Sequence, residues 1–568
     1  MVSSTVTSID DIVWDEVTDF LSIGSGIGGL SGAIVAHDWG LRTIIVEKAA
    51  TIGGVSTYSG GELWVGGSHL EAAAGVDDSV EDAYEYIREI SAGYNDDQMT
   101  RNFCVHAPIA LKYFEDEADI AWRLIHDFPD YYHPQVPHAA AQGRYIEVAP
   151  FPASTLGDWQ ETVHLSPQSL SGVTHPEMFA QGGLVNFPRW DMSTIHGRWE
   201  RDERTLGPGM GASFAKAALD RGIPVMLETP AQQLIVDRGR VVGVRATRDG
   251  ADYFIKAERG VLIAAGAYDW NEAAHRNYDL VPDIKSASPP SVTGDGIVLG
   301  GSVGAKITQV PVPVTCGYRI PGEEHEGHPF WRIAGIPLGV PHSIVVNRQG
   351  RRFGDESFSR SLGFALKTID GGSQQHVNYP FWVIQDARAR AKYDFGPFPA
   401  GAAIPDDVAT TADTLTELAE AIGVDPAGLE DEVRRFNGFV DAGVDEDFGR
   451  GEKSWSRKNS GDRSLPGNPN LGALEQGPFV AVRLYPLNIG LSNAGLAADV
   501  HNRVLDFRDE PIEGLYAAGN SMTMIEFGAG YNSGQGNARG MLGGYLAARH
   551  AADDPSTALD QWTSPGSR

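Results

Sequence analysis

The most informative alternation of apolar and polar positions lies at residues 19 to 54, DFLSIGSGIGGLSGAIVAHDWGLRTIIVEKAATIGG. A short apolar run enters a cluster of glycines, an Ala/Gly-rich stretch with helical spacing follows, and RTIIVE supplies a second β-branched run ending at Glu47. This order predicts a strand–helix–strand unit with parallel strands. Residues 225 to 271 alternate short strands with the turn signals DRGR and RDGA before the apolar run VLIAAGA. They predict a small antiparallel sheet that feeds a return strand of the first sheet. Near the C-terminus, GLYAAGNSM predicts another buried strand. Residues 276–475 differ in pattern: they are rich in turns, with a helical stretch LEDEVRRFNGFVDAG and the proline-interrupted PVPVTCGYRIPG, and read as an inserted domain.

Gly24, Gly26 and Gly29, with Gly28 beside them, meet the needs of a pyrophosphate-binding turn: a tight bend, close approach to phosphate, and close packing of helix on strand. Glu47 lies 18 residues after Gly29, at the tip of the second strand, where a carboxylate accepts hydrogen bonds from ribose hydroxyls. The motif itself does not separate FAD from NAD. GGVSTYSGGELW follows the acidic strand directly and GLYAAGN returns more than 450 residues later, a two-part site that suits a long flavin. Expected cofactor contacts are therefore Gly24, Gly26, Gly28, Gly29, Glu47, Lys48, Gly54, Ser56, Thr57, Ser59, Gly60, Gly61, Gln233, Ala265, Gly266, Gly519, Asn520 and Ser533. The expected fold class is α/β: a Rossmann-like FAD-binding domain over 15–275 and 476–552, an inserted α+β substrate domain over 276–475, and a flexible tail over 553–568.

Composition narrows the function. A formal charge of −30 repels nucleic acid and anionic lipid, so no nucleic acid partner is expected. No apolar run approaches the roughly 20 residues that span a bilayer. Two cysteines, Cys104 and Cys316, supply neither a disulfide framework nor a thiolate metal site. The N-terminal stretch MVSSTVTSIDDIVWDEV has no signal-peptide pattern, and a cytoplasmic location is expected. His325 and His328 in EEHEGH match no metal-ligand spacing, so they read as a solvated acidic loop and no metal is expected.

Seven segments, GSGIGGLSGA, GGVSTYSGGELW, FPDYY, VVNRQGRRFGDES, RRFNGFVDAGVDEDFGRG, GPFVAVRLYP and GLYAAGN with the glycine-rich stretch after it, resemble the FAD-dependent 3-ketosteroid dehydrogenases of the fumarate reductase superfamily. The resemblance covers residues 17 to 550. It implies non-covalent FAD, desaturation of a cyclic ketone next to its carbonyl, and an electron acceptor such as a quinone, a dye-like carrier or oxygen. Two positions depart from the fumarate reductase branch: Asn520 stands where that branch has Glu, and NIGLSNAGL replaces its His-Thr. GGVSTYSGG holds no flavin-linking histidine, although His69 follows a little beyond.

By the same resemblance, Tyr531 and the backbone amide of Gln535 or Gly536 hold the ketone oxygen. Ser533 belongs to a Tyr-x-Ser-Gly form similar to the branch that desaturates the Δ4 position, where the Ser has an active-site role. The base is open. Arg360 occupies the place of the family's basic Tyr, and a guanidinium does not deprotonate. Tyr131, Tyr132, Tyr318, His133 and His138 are the replacements. Arg360 itself either pairs with Asp355 or Glu356, or clamps a substrate carboxylate, which would point to an oxocyclohexane carboxylate in place of a steroid. A flavin reductase of activated alkenes and a non-catalytic flavoprotein are the competing functions.

Overall fold

The computed structural model describes residues 12–168 and 170–553, together with Ile9. Of the expected tail over 553–568, all but Asp553 lies outside these residues. The strand–helix–strand unit forms as its pattern predicts: β1 (Glu16–Ile23), α1 (Ile27–Asp38) and β2 (Thr43–Val46). The sheet runs Arg503–Leu505, Pro511–Ala517, Ala251–Ile263, β1, β2, Val225–Met226. Apart from the antiparallel Arg503–Leu505 edge, the four pairings along this order are all parallel. The strand Ala251–Ile263 does two jobs. Its first half closes the antiparallel pair with Arg240–Arg248, and its second half lies parallel to β1. A single continuous strand thus replaces the separate hairpin and return strand that the turn signals predict.

Register makes the strand ends coincide. Ile23 pairs with Val46 and Ile263, Val46 with Met226, and Ile263 with Ala517. The residues that follow each strand therefore open along one edge, where ligands of open parallel sheets bind.

A second, seven-stranded sheet runs His328–Ile333, Thr315–His325, Phe479–Asn488, Phe381–Gln385, Ser343–Asn347, with Lys285–Ser286 and Ala409–Ala412 also on Phe479–Asn488. Phe479–Asn488, placed by its sequence position with the returning FAD-binding portion, is the strand on which this second sheet is built. Its apolar alternation says that it is a half-covered strand but carries no information about which partners cover it. Beneath this sheet, Arg352 contacts Glu356 at 2.6 Å and Asp445 at 2.7 Å, and Arg450 lies 3.3 Å from Glu356, all with fully buried side chains. VVNRQGRRFGDES and DFGRG are thereby clamped together, and the clamp delivers the helix Ser359–Ala365 that carries Arg360.

The C-terminal helix Gln535–Ala551 packs along α1. A Cβ on Gly544 would stand 2.3 Å from Gly28 O and 2.6 Å from Gly32 N, both backbone atoms that have nowhere to move. Gly544→Val should therefore lower stability by at least about 1–3 kcal/mol, measured by denaturant unfolding. It should also weaken cofactor retention, because the displaced α1 carries the glycine turn.

Candidate active site

One cavity runs along the edge where the parallel strands end. Gly24–Gly28 follow β1, Glu47 and Lys48 follow β2, Thr229 and Ala231 come from the third strand end, Ala264–Gly266 follow Ile263, and Ala518–Asn520 follow Ala517. Gly54, Ser56, Ser59 and Gly60 close one wall. Gly24 has φ +102°, and a Cβ there would strike Ala264 O at 2.4 Å, so the turn accepts only glycine. Glu47 accepts from Ser25 N at 2.9 Å, Ser25 Oγ at 2.7 Å and Ala49 N at 2.8 Å, which fixes its carboxylate at the strand tip. Lys48 Nζ is tied to Thr293 Oγ1 at 2.7 Å and Asp295 at 2.9 Å.

Two helices begin at this cavity, α1 after Gly26 and the C-terminal helix after Gly534, and neither has a side-chain cap. Their first-turn amides lack partners within the helix and carry the positive end of the dipole, so the cavity has two built-in anion-facing ends. Four expected cofactor residues do not line it. Gly29 packs against the turn, since a Cβ would lie 1.9 Å from Gly24 O. Thr57 bonds Gly54 O at 2.8 Å and holds the local 3-10 turn, and Gly61 abuts the backbone of Leu206. Gln233 is exposed on its strand, while Thr229 and Ala231, a few residues earlier, reach the cavity.

At the opposite end stand Tyr131, Arg360, Tyr531, Ser533 and Gly536. Tyr531 is 7% exposed, and its hydroxyl has no hydrogen-bond partner among the described residues. Burial pushes its phenol well above the ordinary tyrosine range, so it stays a donor. Gly536 is the second residue of the C-terminal helix, where the N–H has no intrahelical acceptor. Gln535 turns inward instead, its Oε1 accepting from Asn532 N at 2.8 Å. Arg360, 6% exposed, gives one hydrogen bond to Pro313 O at 2.9 Å and lies 4.5 Å over the Tyr531 ring. Asp355 and Glu356, the sequence neighbours that could have neutralised it, are taken by Lys453 and by Arg352 and Arg450. The guanidinium therefore faces the cavity with no carboxylate partner among the described residues.

The candidate bases separate. Tyr131 joins the cavity, with its ring 6.2 Å from that of Tyr531 and against Trp455 at 4.6 Å and Phe358 at 5.7 Å. Tyr132 packs on Phe358 outside the lining, and burial pushes its phenol to about 12. Tyr318 is buried in the second sheet against Phe395, away from the cavity. His133 bonds Ser454 and His138 bonds Asp82, and neither lines the site. EEHEGH forms the tip of a strand pair, and most of its residues are exposed there. There Tyr58 Oη stands 2.7 Å from Nε2 of both His325 and His164, a hydrogen-bonded contact between the two parts of the chain. These two histidines and Glu326 hold their ligand-type atoms within 4.8 Å of one another.

Four polar residues escape a reading of the sequence. Asn532 Oδ1 accepts from Tyr131 N and Tyr86 Oη, both at 2.9 Å, and so ties the glycine-rich segment to FPDYY. Glu62, His175 and Glu147 lie buried just behind Ser533. The only local sign of Glu62 is a carboxylate set in the apolar stretch GGELW, while nothing near His175 or Glu147 announces them.

The profile of the FAD binding domain family matches residues 19–538. The chain belongs to this FAD-binding family. Among its relatives, a 4-oxocyclohexanecarboxylate 2-dehydrogenase of Sinomonas cyclohexanicum is 32% identical over 545 residues, covering 94% of this chain and 92% of that one. A 3-oxosteroid 1-dehydrogenase of Mycolicibacterium smegmatis is 32% identical over 561 residues, covering 93% and 96%. The crystal structure of a 3-ketosteroid Δ1-dehydrogenase from Sterolibacterium denitrificans, in complex with 1,4-androstadiene-3,17-dione, superposes with a TM-score of 0.86 at 30% identity, covering 95% of this chain and all of that one. This FAD-binding family member is accordingly an FAD-dependent oxidoreductase, and the two relatives named above are dehydrogenases of oxo-cyclic compounds. Its cavity fits that cofactor: a Cβ on Gly26 would meet no protein atom nearer than 3.8 Å and would occupy ligand space, directly before the first turn of α1, where Ile27 N–H is met by Ser56 Oγ at 3.1 Å. Among the described residues, no helix is long and apolar enough to cross a membrane.

Proposed function

We propose that this enzyme desaturates a cyclic ketone carrying a carboxylate, of the oxocyclohexane-carboxylate class, with FAD held non-covalently. The observation that carries the reading is Arg360, a buried guanidinium that faces the cavity beside Tyr531 without an acidic partner among the described residues. An unneutralised buried cation is costly, and a substrate carboxylate in fork geometry would offset that cost. The 4-oxocyclohexanecarboxylate relative supports the same class. His69 is turned to Glu115 at 2.7 Å and does not line the cavity, which supports a cofactor without a covalent link.

In this reading Tyr531 Oη and Gly536 N–H donate to the ketone oxygen, and their bonds strengthen as enolate charge develops. Tyr131 takes the α-proton. The Tyr131 ring, backed by Phe358 and Trp455, presents an apolar face to the substrate. Bound FAD supplies a hydride acceptor for the adjacent carbon. An external acceptor of the quinone, dye-like or oxygen class restores the oxidised state.

The test is anaerobic bleaching of the purified yellow holoenzyme by 4-oxocyclohexanecarboxylate, by its methyl ester and by a 3-oxosteroid. The acid should bleach the flavin with an efficiency about 100-fold above the ester, the equivalent of about 2–3 kcal/mol for a charge-assisted contact. Equal efficiency with ester or steroid would overturn the carboxylate assignment and leave the desaturase. Reoxidation of reduced enzyme by an enone, with no bleaching by any ketone, would reverse the direction of the reaction.

A further inference from the structure

Behind the substrate end of the cavity runs a line of buried acid–base groups that the mechanism above does not use. His175 lies between two carboxylates, with Nε2 3.0 Å from Glu62 and Nδ1 2.8 Å from Glu147. Glu147 also accepts the His175 backbone N–H at 3.1 Å. All three are nearly or fully buried, and Glu62 itself lines the cavity. Ser533 lines the cavity together with Glu62 and Tyr131, and its hydrogen bonding bears on both the Glu62 carboxylate and the Tyr131 phenol.

The chemistry of these groups gives the line a direction. An ionised carboxylate only accepts, so the single hydroxyl proton of Ser533 goes to Glu62, and Ser533 Oγ is left to accept from Tyr131. Tyr131 Oη also receives the Ser533 backbone N–H, which leaves its second lone pair for a proton from the cavity it lines. Protonation states support the arrangement. Burial alone would lower His175, but Glu62 and Glu147 override it and raise the imidazole to about 10. Burial would raise Glu62, but the imidazolium overrides it and holds the carboxyl below its ordinary range. Glu62 is thus an anion at neutral pH although it is buried. A carboxylate of low basicity serves as base next to a ketone wherever donors stabilise the enolate.

We propose that Glu62 is the terminal acceptor of the substrate α-proton, reached through Ser533 and Tyr131, with His175 and Glu147 as positioning residues. This inference rests on the cyclic-ketone reading. The α C–H bond breaks and its electron pair stays on the substrate as the enolate. The proton bonds to Tyr131 Oη, the phenolic proton passes to Ser533 Oγ, and the serine proton passes to a Glu62 oxygen. One proton moves from carbon to Glu62, and the protein gains and loses no electrons. Besides His175, Tyr131, Tyr145 and Tyr531 feel the Glu62 charge, all neutral at neutral pH, and Arg360 lines the same cavity.

The experiment separates proton transfer from oxidation. Holoenzyme whose flavin has been reduced beforehand cannot take hydride, so in D2O it can only exchange the α-hydrogens of 4-oxocyclohexanecarboxylate or a 3-oxosteroid, read by mass spectrometry. Wild-type enzyme should exchange. Glu62→Gln should slow exchange by about 100-fold or more, with flavin content and ketone affinity unchanged. His175→Gln should keep exchange, but its acid limb should move to higher pH, because Glu62 without the imidazolium is left to the upward push of burial. Exchange in Glu62→Gln within threefold of wild type, or an acid limb in His175→Gln that does not move, would overturn the proposal. Should Glu62→Gln fail to fold, the His175→Gln profile decides. Absence of exchange by wild type with both ketones would sink the cyclic-ketone reading itself, and this proposal with it.

Discussion

Tyr531→Phe should reduce turnover by about two to three orders of magnitude while the protein remains folded and retains FAD. That is the cost of losing one donor to a developing oxyanion in a water-excluded site. The prediction is sharp because the hydroxyl makes no hydrogen bond to any described residue, so its removal breaks no structural bond. The phenylalanine ring preserves the 4.5 Å contact with Arg360 and the 6.2 Å contact with Tyr131. Steady-state kinetics beside the flavin absorbance of the purified variant would check it. The expected pattern is a fall in kcat with little change in KM, since the bond strengthens mainly in the transition state. Activity within fivefold of wild type would mean that another group polarises the ketone.

Arg360→Ala should have the second large effect and a different signature. For a carboxylate-bearing ketone, kcat/KM should fall by about 30- to 1,000-fold, corresponding to about 2–4 kcal/mol for truncating one partner of a buried charge pair. For the methyl ester the change should stay within tenfold, so the preference between acid and ester collapses. A residual loss on the ester reports the cation's hold on the Tyr531 ring, a contact worth about 0.5–2 kcal/mol. Arg360→Lys should recover only part of the acid's advantage, because an ammonium restores the charge without the planar fork. If acid and ester suffer equally, Arg360 stabilises the enolate and does not recognise a carboxylate.

The parts of this protein that are legible in its sequence are those whose cause is local. Gly24 is demanded by a backbone angle and a carbonyl 2.4 Å away, β1 and β2 by runs of apolar residues, and the C-terminal glycines by the approach of two helices. Each leaves a trace within a few positions. Gln233 shows the limit: the strand is where its pattern predicts, but the side that faces the cofactor edge is presented by Thr229 and Ala231. Tyr318 shows it again, a tyrosine of the right domain whose strand buries it against Phe395.

Tyr131, Tyr531 and the glycine turn could be singled out from the chain by itself, as could the α/β class and the flavin. Which of them meet was decided by tertiary structure. Glu62, Tyr131, Glu147, His175, Arg360 and Ser533 belong to separate segments, and their contacts depend on how a parallel sheet, a second sheet and the Arg352–Glu356–Asp445–Arg450 clamp set those segments against one another. A carboxylate becomes a buried anion only when an imidazole from more than a hundred residues away stands 3.0 Å from it. An arginine becomes a free cation only when its neighbouring acids are claimed by other bases. Ionisation and hydrogen bonding depend on distance in space, and no spacing along the chain encodes that distance.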